Sequence, residues 1–546
     1  MKKYLALVSI LAFGLFLRLY HNTSISLWHD EAFSALLIHY PWGEMFYRIG
    51  LDVHPPAYYV ALRLWSMLLG DSLLALRGFS VFFGLATAAT TYGFVRDIFK
   101  SPRAATIAAL AIVVNPFQIQ YATEARMYTF GAFLAVSMAW VLAKALNSTE
   151  IKNKFKLFVA FGALAGIAAL THYYLLFSVV AACVYALLYT AVHFKKDIRA
   201  YAPLATGYLT TILLFLPWTN WFIFQFKQVG AGYWIPPLNW WSIPSTLWQV
   251  TFGLESDIAK TTTKITLAVT TIVLVSIFAL LLKKQKNTHV WLVAFLFAAP
   301  FAGSLLFALL AFVKGQSSSV YLVRYFLYAS AFLLAALALW IDSWKRSWLI
   351  WTATAAYAIV CVLVFANNWQ KLDITKKTGM AGAATYLQSH ATPTDKLYVG
   401  TSFEFFNLKY YLSQLTPPAA IVTQTTTMSS SRYSLEDLSD DAPPAQIRTL
   451  DRTAEWPRPM LYSGGNTSVK NLPHFVGTAI LTDADLLPSF ADAVKTGDTV
   501  WLLWTNAFGS NKPTVPSNWK QADEAGFADV RPYSGTWIVV TKYLVQ

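Results

Sequence analysis

The sequence predicts a polytopic α-helical membrane protein that ends in a soluble α/β domain, and three observations predict it. The chain of 546 residues is 56% hydrophobic and only 13% charged, with a mean hydropathy of +0.45, a balance foreign to an ordinary water-soluble globule. Apolar runs recur along residues 1–366, each near the length that a bilayer core demands. Beyond residue 366 the composition turns polar and the pattern becomes one of short helices and strands. Two domains follow, a membrane domain over 1–366 and an extracytoplasmic α/β domain over 367–546. The net charge of +14 comes from basic residues clustered between apolar runs, so membrane topology accounts for it and no nucleic-acid partner is expected. Cys183 and Cys361 both fall inside apolar runs without metal-ligand spacing, so neither a disulfide framework nor a zinc site is expected.

The first run, residues 4–20, follows Met1-Lys2-Lys3 and lacks a small-residue cleavage site, which reads as an uncleaved span with its amino end in the cytoplasm. Residues 21–71 then lie outside and hold two amphipathic pieces, one after Glu31 and one after Pro56, suited to the membrane surface. Further spans are expected at 73–95, 104–121, 129–146, 157–171, 174–193, 201–217, 265–282, 289–312, 322–341 and 347–366, about eleven in all. The block 157–193 must turn at His172-Tyr173-Tyr174, because a single long helix there would invert every later loop. Alternate threading places Arg96, Lys100 and Arg103, then Lys152, Lys154 and Lys156, then Lys195, Lys196 and Arg199, then Lys283, Lys284 and Lys286, then Lys345 and Arg346 on the cytoplasmic side. The long connections 21–71, 122–128, 218–264 and 313–321 emerge on the opposite face with the tail. In 218–264, Trp218, Trp221, Tyr233, Trp234, Trp240 and Trp241 read mainly as an aromatic belt at headgroup depth. In the tail, helices are expected at 380–389 and 404–412 and strands at 396–400, 499–504 and 535–542, with a mobile loop over 423–431 and 440–444.

The outer face collects the residues that carry chemistry. Asp30 and Glu31 follow Leu27-Trp28-His29, and two adjacent carboxylates are costly to keep beside lipid, so function is a fair default for them; the plainer reading makes Asp30 the N-cap of an interfacial helix. In Asp52-Val53-His54-Pro55-Pro56 the prolines end one segment and start a helix, fixing Asp52 and His54 in a turn. Tyr121-Ala122-Thr123-Glu124-Ala125-Arg126-Met127-Tyr128 brings a carboxylate and a guanidinium into one short loop, as either a functional set or a structural ion pair. Arg324, in Tyr321-Leu322-Val323-Arg324-Tyr325, ends a span, where a snorkelling arginine is the ordinary explanation. Together these groups supply what a membrane enzyme using a lipid-phosphate sugar needs: a carboxylate base for the acceptor proton and guanidinium groups for the phosphate. No Gly-rich nucleotide loop accompanies them.

The order Asp30-Glu31, then Asp52-Val53-His54-Pro55-Pro56, then Glu124-Ala125-Arg126-Met127-Tyr128 resembles the protein O-mannosyltransferase superfamily, glycosyltransferase family 39, and its ArnT-like bacterial relatives of the GT-C fold. The resemblance has good motifs over about the first 220 residues, continues as hydropathy to residue 366 and fades in the tail. It implies metal-independent, inverting transfer of one sugar, without a cofactor, from a polyprenyl-phosphate donor to a lipid, glycan or protein acceptor at the outer face of the cell membrane. By the same resemblance Asp30 is the general base with Glu31 beside it, and Asp52, His54, Glu124, Arg126, Tyr128, Arg324 and Tyr325 contact substrate. Within that set Glu31 and Glu124 touch sugar or acceptor, and Arg126 and Arg324 touch the donor phosphate. The chain departs from the protein-mannosylating members in lacking a β-trefoil insert, and Trp240-Trp241 is followed by Ser242 rather than the Asp expected of oligosaccharyltransferases. The rival expectation is a transporter or flippase of a lipid-linked sugar, which calls for charges near the bilayer midplane and repeated broken helices.

Overall fold

A computed structural model describes residues 4–194, 197–231, 235, 237–315, 319–372, 376–392, 395–399, 402–415, 469–470, 478–480, 494–506, 515–530 and 536–546. The expected loop at 423–431 and 440–444, together with Tyr233, Trp234, Gly400 and residue 535, lies outside the described residues. The chain divides into two compact units. One comprises Met1–Tyr20, Val53–Leu62 and Arg77–Asn368, the other His21–Asp52, Arg63–Leu76 and Trp369–Gln546.

Among the described residues, eight helices are long and apolar enough to cross a bilayer: Leu73–Phe99, Tyr128–Asn147, Leu175–Phe194, Ile198–Lys227, Thr261–Lys284, Val290–Val313, Val323–Asp342 and Ser347–Leu372. The helix pair Pro102–Val114 and Pro116–Ala122, bent by 58°, makes a ninth if it counts as one span. Leu5–Leu19 is shorter, with 15 residues, and Ile151–Ala169 carries Lys152, Lys154 and Lys156 at its start. The block 157–193 turns where expected, between Ala169 and Leu175. The stretch 218–264, expected as a loop, instead contains the helices Thr219–Ala231 and Ser242–Phe252. Among the described belt residues Trp218 is buried, and only Trp240, 95% exposed, stands fully out as a belt residue would.

The bent pair departs from the single span expected over 104–121. Asn115-Pro116 breaks it, because proline has no N–H to continue the helix and fits the first position of a new one. In a medium without water the freed backbone groups need partners. Asn115 caps the second piece by accepting from the Gln118 N–H at 3.0 Å and donates through Nδ2 to the carbonyls of Val250 and Thr251, both at 3.0 Å. The buried guanidinium of Arg18 serves the first piece, donating to the carbonyl of Val113 at 2.9 Å and that of Ile112 at 3.3 Å. Both are among the last four carbonyls of a helix, which have no partner within it.

Ile151–Ala169 and Tyr201–Phe215 approach closely through small residues. A Cβ added at Gly162 would lie 2.2 Å from the Gly207 carbonyl oxygen, and Thr211 Oγ1 donates to the Gly162 carbonyl at 3.2 Å. Small residues drive helix association where lipid removes the hydrophobic contribution.

The second unit holds a six-stranded mixed sheet in the order β2-β3-β1-β4-β6-β5, with β1 Lys396–Val399, β2 Val469–Lys470, β3 Thr478–Ile480, β4 Thr499–Thr505, β5 Trp519–Ala528 and β6 Trp537–Val545. β1 is parallel to β3 and β4, whereas β6 runs antiparallel to both β4 and β5. Tyr398, Val500, Leu502, Trp519, Tyr543 and Val545 form its core. The expected tail helices and strands are present, with the 535–542 strand shifted to Trp537–Val545. The unexpected β5 is an exposed edge strand rich in charge, a common guard against edge pairing. The helices Gly379–His390 and Ser402–Leu415 belong to the same unit as the stretch around Asp30 and hold it. The Ser26 hydroxyl donates to the Thr378 carbonyl at 2.7 Å, the Leu27 N–H donates to the Tyr411 hydroxyl at 2.7 Å, and Phe33 meets Phe406 edge-on at 6.1 Å.

Two expected outcomes follow from this packing. Gly162→Leu should lower the stability of the purified protein by about 1–3 kcal/mol, the usual cost of overpacking, read as an earlier thermal unfolding transition; an unchanged transition would show that the two helices separate freely. In the second unit, Glu404 is fully buried and its Oε2 accepts from Asn407 Nδ2 at 3.3 Å. Burial, and after it the charge of Asp529, raises its carboxyl from 4.5 to about 8, against the opposing pull of Asn407. The folded unit therefore keeps a proton that the unfolded chain releases above about pH 4.5, so this group's contribution falls as pH climbs and is fully lost near pH 8. Glu404→Gln should unfold at a higher temperature than the parent at pH 8 and at a similar one at pH 4.5, and a difference independent of pH would contradict the buried acid.

Candidate functional site

Within the first unit the loops sort to two ends, as alternate threading requires. At one end Ser101 donates to Asp342 at 2.6 Å, Arg103 pairs with the same carboxylate, Lys144 reaches Asp97 at 3.3 Å, and Asn287 Nδ2 donates to the Ile98 carbonyl at 2.6 Å. This is the basic end. At the other end the loops at 53–56, 122–128, 170–174 and 319–326 meet. The Ala57 N–H donates to the Leu170 carbonyl at 2.8 Å, and Gln225 Nε2 donates to the His54 carbonyl at 3.3 Å.

Six of the candidate residues belong to that second end: His54, Glu124, Arg126, Tyr128, Arg324 and Tyr325. The bent helix pair delivers two of them. Pro116–Ala122 leads into the turn in which the Arg126 N–H donates to the Glu124 carbonyl at 2.8 Å, and Ser80 Oγ donates to the Arg126 carbonyl at 3.3 Å. Glu124, Arg126 and Tyr128 are all buried. A 3₁₀ turn over Val323–Phe326 presents Arg324 and Tyr325. Arg324 Nη1 donates to the Tyr128 hydroxyl at 3.4 Å, so this arginine engages the site loop and does more than snorkel. Gly131 makes room for this arrangement, since a Cβ there would stand 2.5 Å from the Tyr328 ring.

His172 stands at the centre of the set and was not singled out in the sequence for chemistry. Its ring centroid lies 4.6 Å from Tyr325, 5.5 Å from both His54 and Tyr328, and 6.4 Å from Tyr128. Burial, then the charges of His54, Arg126 and Arg324, hold its imidazole well below the usual histidine range. The available signal was a histidine at the one point where a long apolar block has to turn. Beside it lies a cavity of about 250 Å³ lined by His54, His172 and Tyr325 together with Phe177, Phe222, Phe226, Val229 and Phe307. A few polar groups in a mostly apolar lining are the usual make-up of a ligand site. Among the described residues no three His, Cys, Asp or Glu side chains gather as metal ligands.

Asp30, Glu31 and Asp52 belong to the second unit. The helix there is His29–Leu37, with Trp28 at the cap position and Asp30 already inside the first turn. Glu31, fully buried, accepts from the Trp28 backbone N–H at 3.4 Å. The capping bond expected of Asp30 is thus made by Glu31, in the manner of the third residue of a capping box. Asp52 caps the C-terminal end of Trp42–Leu51 and is buried.

Residues 53–221 match the protein family described as dolichyl-phosphate-mannose-protein mannosyltransferase. No curated protein matches the chain. Over nearly its whole length the chain is similar to ArnT from Cupriavidus metallidurans. With the crystal structure bound to undecaprenyl phosphate it shares 15% identity over 98% of this chain and 97% of that one, with a TM-score of 0.60. With the apo structure the identity and coverage are the same and the TM-score is 0.59. The oligosaccharyltransferase of Archaeoglobus fulgidus matches at 13% identity over 74% of this chain and 61% of its own, with a TM-score of 0.43. The fold is therefore that of ArnT, the C-terminal sheet domain included.

Proposed function

We propose that the chain is a membrane glycosyltransferase that moves a single sugar, with inversion, from a polyprenyl-phosphate donor to a hydroxyl or amine of a lipid, glycan or protein acceptor at the extracytoplasmic face. The observation that carries the reading is that His172, which lines an apolar cavity, has Arg126, Arg324 and Tyr128 gathered around it. Most of that set falls inside the segment that matches the mannosyltransferase family. One solved structure of this fold, ArnT from Cupriavidus metallidurans, is bound to undecaprenyl phosphate. That ligand has the two-part chemistry that the cavity suits.

In this reaction the bond from the anomeric carbon to the phosphate oxygen breaks and its electron pair leaves on the phosphate. The acceptor oxygen or nitrogen forms the new bond and gives up a proton. Asp30 takes that proton, and Glu31 fixes the start of the helix that carries Asp30. Arg126 and Arg324 hold the phosphate as its charge grows, which stabilises the transition state more than the ground state. Glu124, Asp52 and His54 contact sugar or acceptor, and Tyr325 packs against the donor.

Reconstituted vesicles decide between this reading and transport. A labelled polyprenyl-phosphate sugar should be consumed with release of polyprenyl phosphate, and movement across the bilayer without cleavage would favour a flippase. Asp30→Asn should reduce transfer about 100- to 10,000-fold, the range typical of a lost general base, while donor binding persists; near-parental turnover would remove Asp30 from that role. Arg324→Ala should raise the donor Kd about tenfold or more, as loss of a charge-assisted bond predicts, and an unchanged Kd would return Arg324 to an anchoring role.

A further inference from the structure

The site offers two fixed cations, and His172 adds a donor of a different kind. Its Nδ1 accepts the backbone N–H of Tyr174 at 3.1 Å. An atom that accepts a hydrogen bond carries no proton, so the ring hydrogen belongs to Nε2, and the Tyr174 bond fixes the tautomer. Protonating Nδ1 would set two N–H groups against each other. The surroundings oppose it too: the groups around the ring are His54 from the 53–56 turn, Arg126 and Tyr128 from the loop after Ala122, Tyr174 from its own turn, and Arg324, Tyr325 and Tyr328 from the segment starting at Val323. The two arginines favour a neutral imidazole. His172 lines the cavity and is only 5% exposed, so its ring meets little bulk water.

We propose that His172 is a binding residue for the phosphate of the lipid-linked donor, giving a neutral, orientationally fixed Nε2–H hydrogen bond to a phosphate oxygen beside Arg126 and Arg324. The proposal rests on the polyprenyl-phosphate reading above and adds a residue outside its first set. A third cation would tighten the released phosphate along with the donor, because the leaving phosphate gains charge as the glycosidic bond breaks. A neutral donor orients one oxygen without adding to that pull.

The test measures binding of polyprenyl phosphate and of the matched polyprenol to the full-length protein in nanodiscs. The parent should prefer the phosphate lipid. His172→Phe keeps the aromatic packing and removes the donor, and should weaken phosphate-lipid binding about tenfold, the value of one hydrogen bond to a charged acceptor, without changing polyprenol binding. His172→Gln, which returns a side-chain N–H, should recover to within about threefold. A parent that binds both lipids equally removes the lipid-phosphate reading, and with it the role of His172. A parent that selects the phosphate, loses selectivity in Arg324→Ala and keeps it in His172→Phe overturns His172 alone. Should His172→Phe fail to fold, ¹⁵N-histidine spectra of the parent decide: polyprenyl phosphate should shift the Nε2–H resonance of a neutral ring, and a doubly protonated ring or an unmoved resonance refutes the proposal.

Discussion

Backbone polar groups inside a bilayer must find partners within the protein, and this chain breaks one of its central helices in spite of that rule. The break at Asn115-Pro116 persists because Arg18 takes two carbonyls on one side and Asn115 serves both the new helix start and the carbonyls of Val250 and Thr251. Arg18 lies in the last turn of Leu5–Leu19 with its guanidinium fully buried, a placement that is costly unless the charge finds partners. Here its guanidinium serves carbonyls that would otherwise incur a comparable penalty. The bend in turn aims Pro116–Ala122 at the loop that bears Glu124 and Arg126. The first helix of the chain thereby shapes a loop about a hundred positions later.

The end that bears Arg126 and Arg324 has two textures. His54, His172 and Tyr325 give the cavity its polar lining, with the two arginines acting on His172, and the phenylalanines from 177 to 307 form an apolar interior. Such a division matches a ligand that is half ion and half hydrocarbon, where the charge fixes position and the hydrocarbon supplies most of the buried area. The opposite end is built differently, from Asp97, Asp342 and basic partners in ion pairs at the loop ends. Pairs of this partly exposed kind contribute little stability each. Their value lies in holding loops whose charge sets the direction of insertion.

Much of this was legible in the sequence. Apolar runs of bilayer length located the helices, and the parity of basic loops predicted which connections share an end, because both signals are carried by many residues at once. The break at Asn115 was visible only as an Asn-Pro dipeptide inside an otherwise continuous apolar run, and hydropathy averages over such a signal. The helices in 218–264 were hidden by their aromatic content, which resembles a headgroup belt whether or not the backbone is helical. At the candidate site the charged residues could be picked out because charge is costly beside lipid. His172 could not, since its significance comes from a backbone N–H two residues away and from side chains on three other segments. The helix begins at His29 with Trp28 at its cap, two residues before the start that an Asp30 cap requires, a difference that sequence patterns do not resolve.

The stretch around Asp30 draws its support from the far end of the chain. Ser26 and Thr378 are 352 positions apart, and Leu27 and Tyr411 are 384. Translation proceeds at about 5–20 residues per second, so the early segment waits tens of seconds on the ribosome's schedule before its partners exist. All the spans are in place by then. Docking of that stretch is thereby tied to completion of synthesis, and a polypeptide abandoned partway lacks the partners of Ser26 and Leu27.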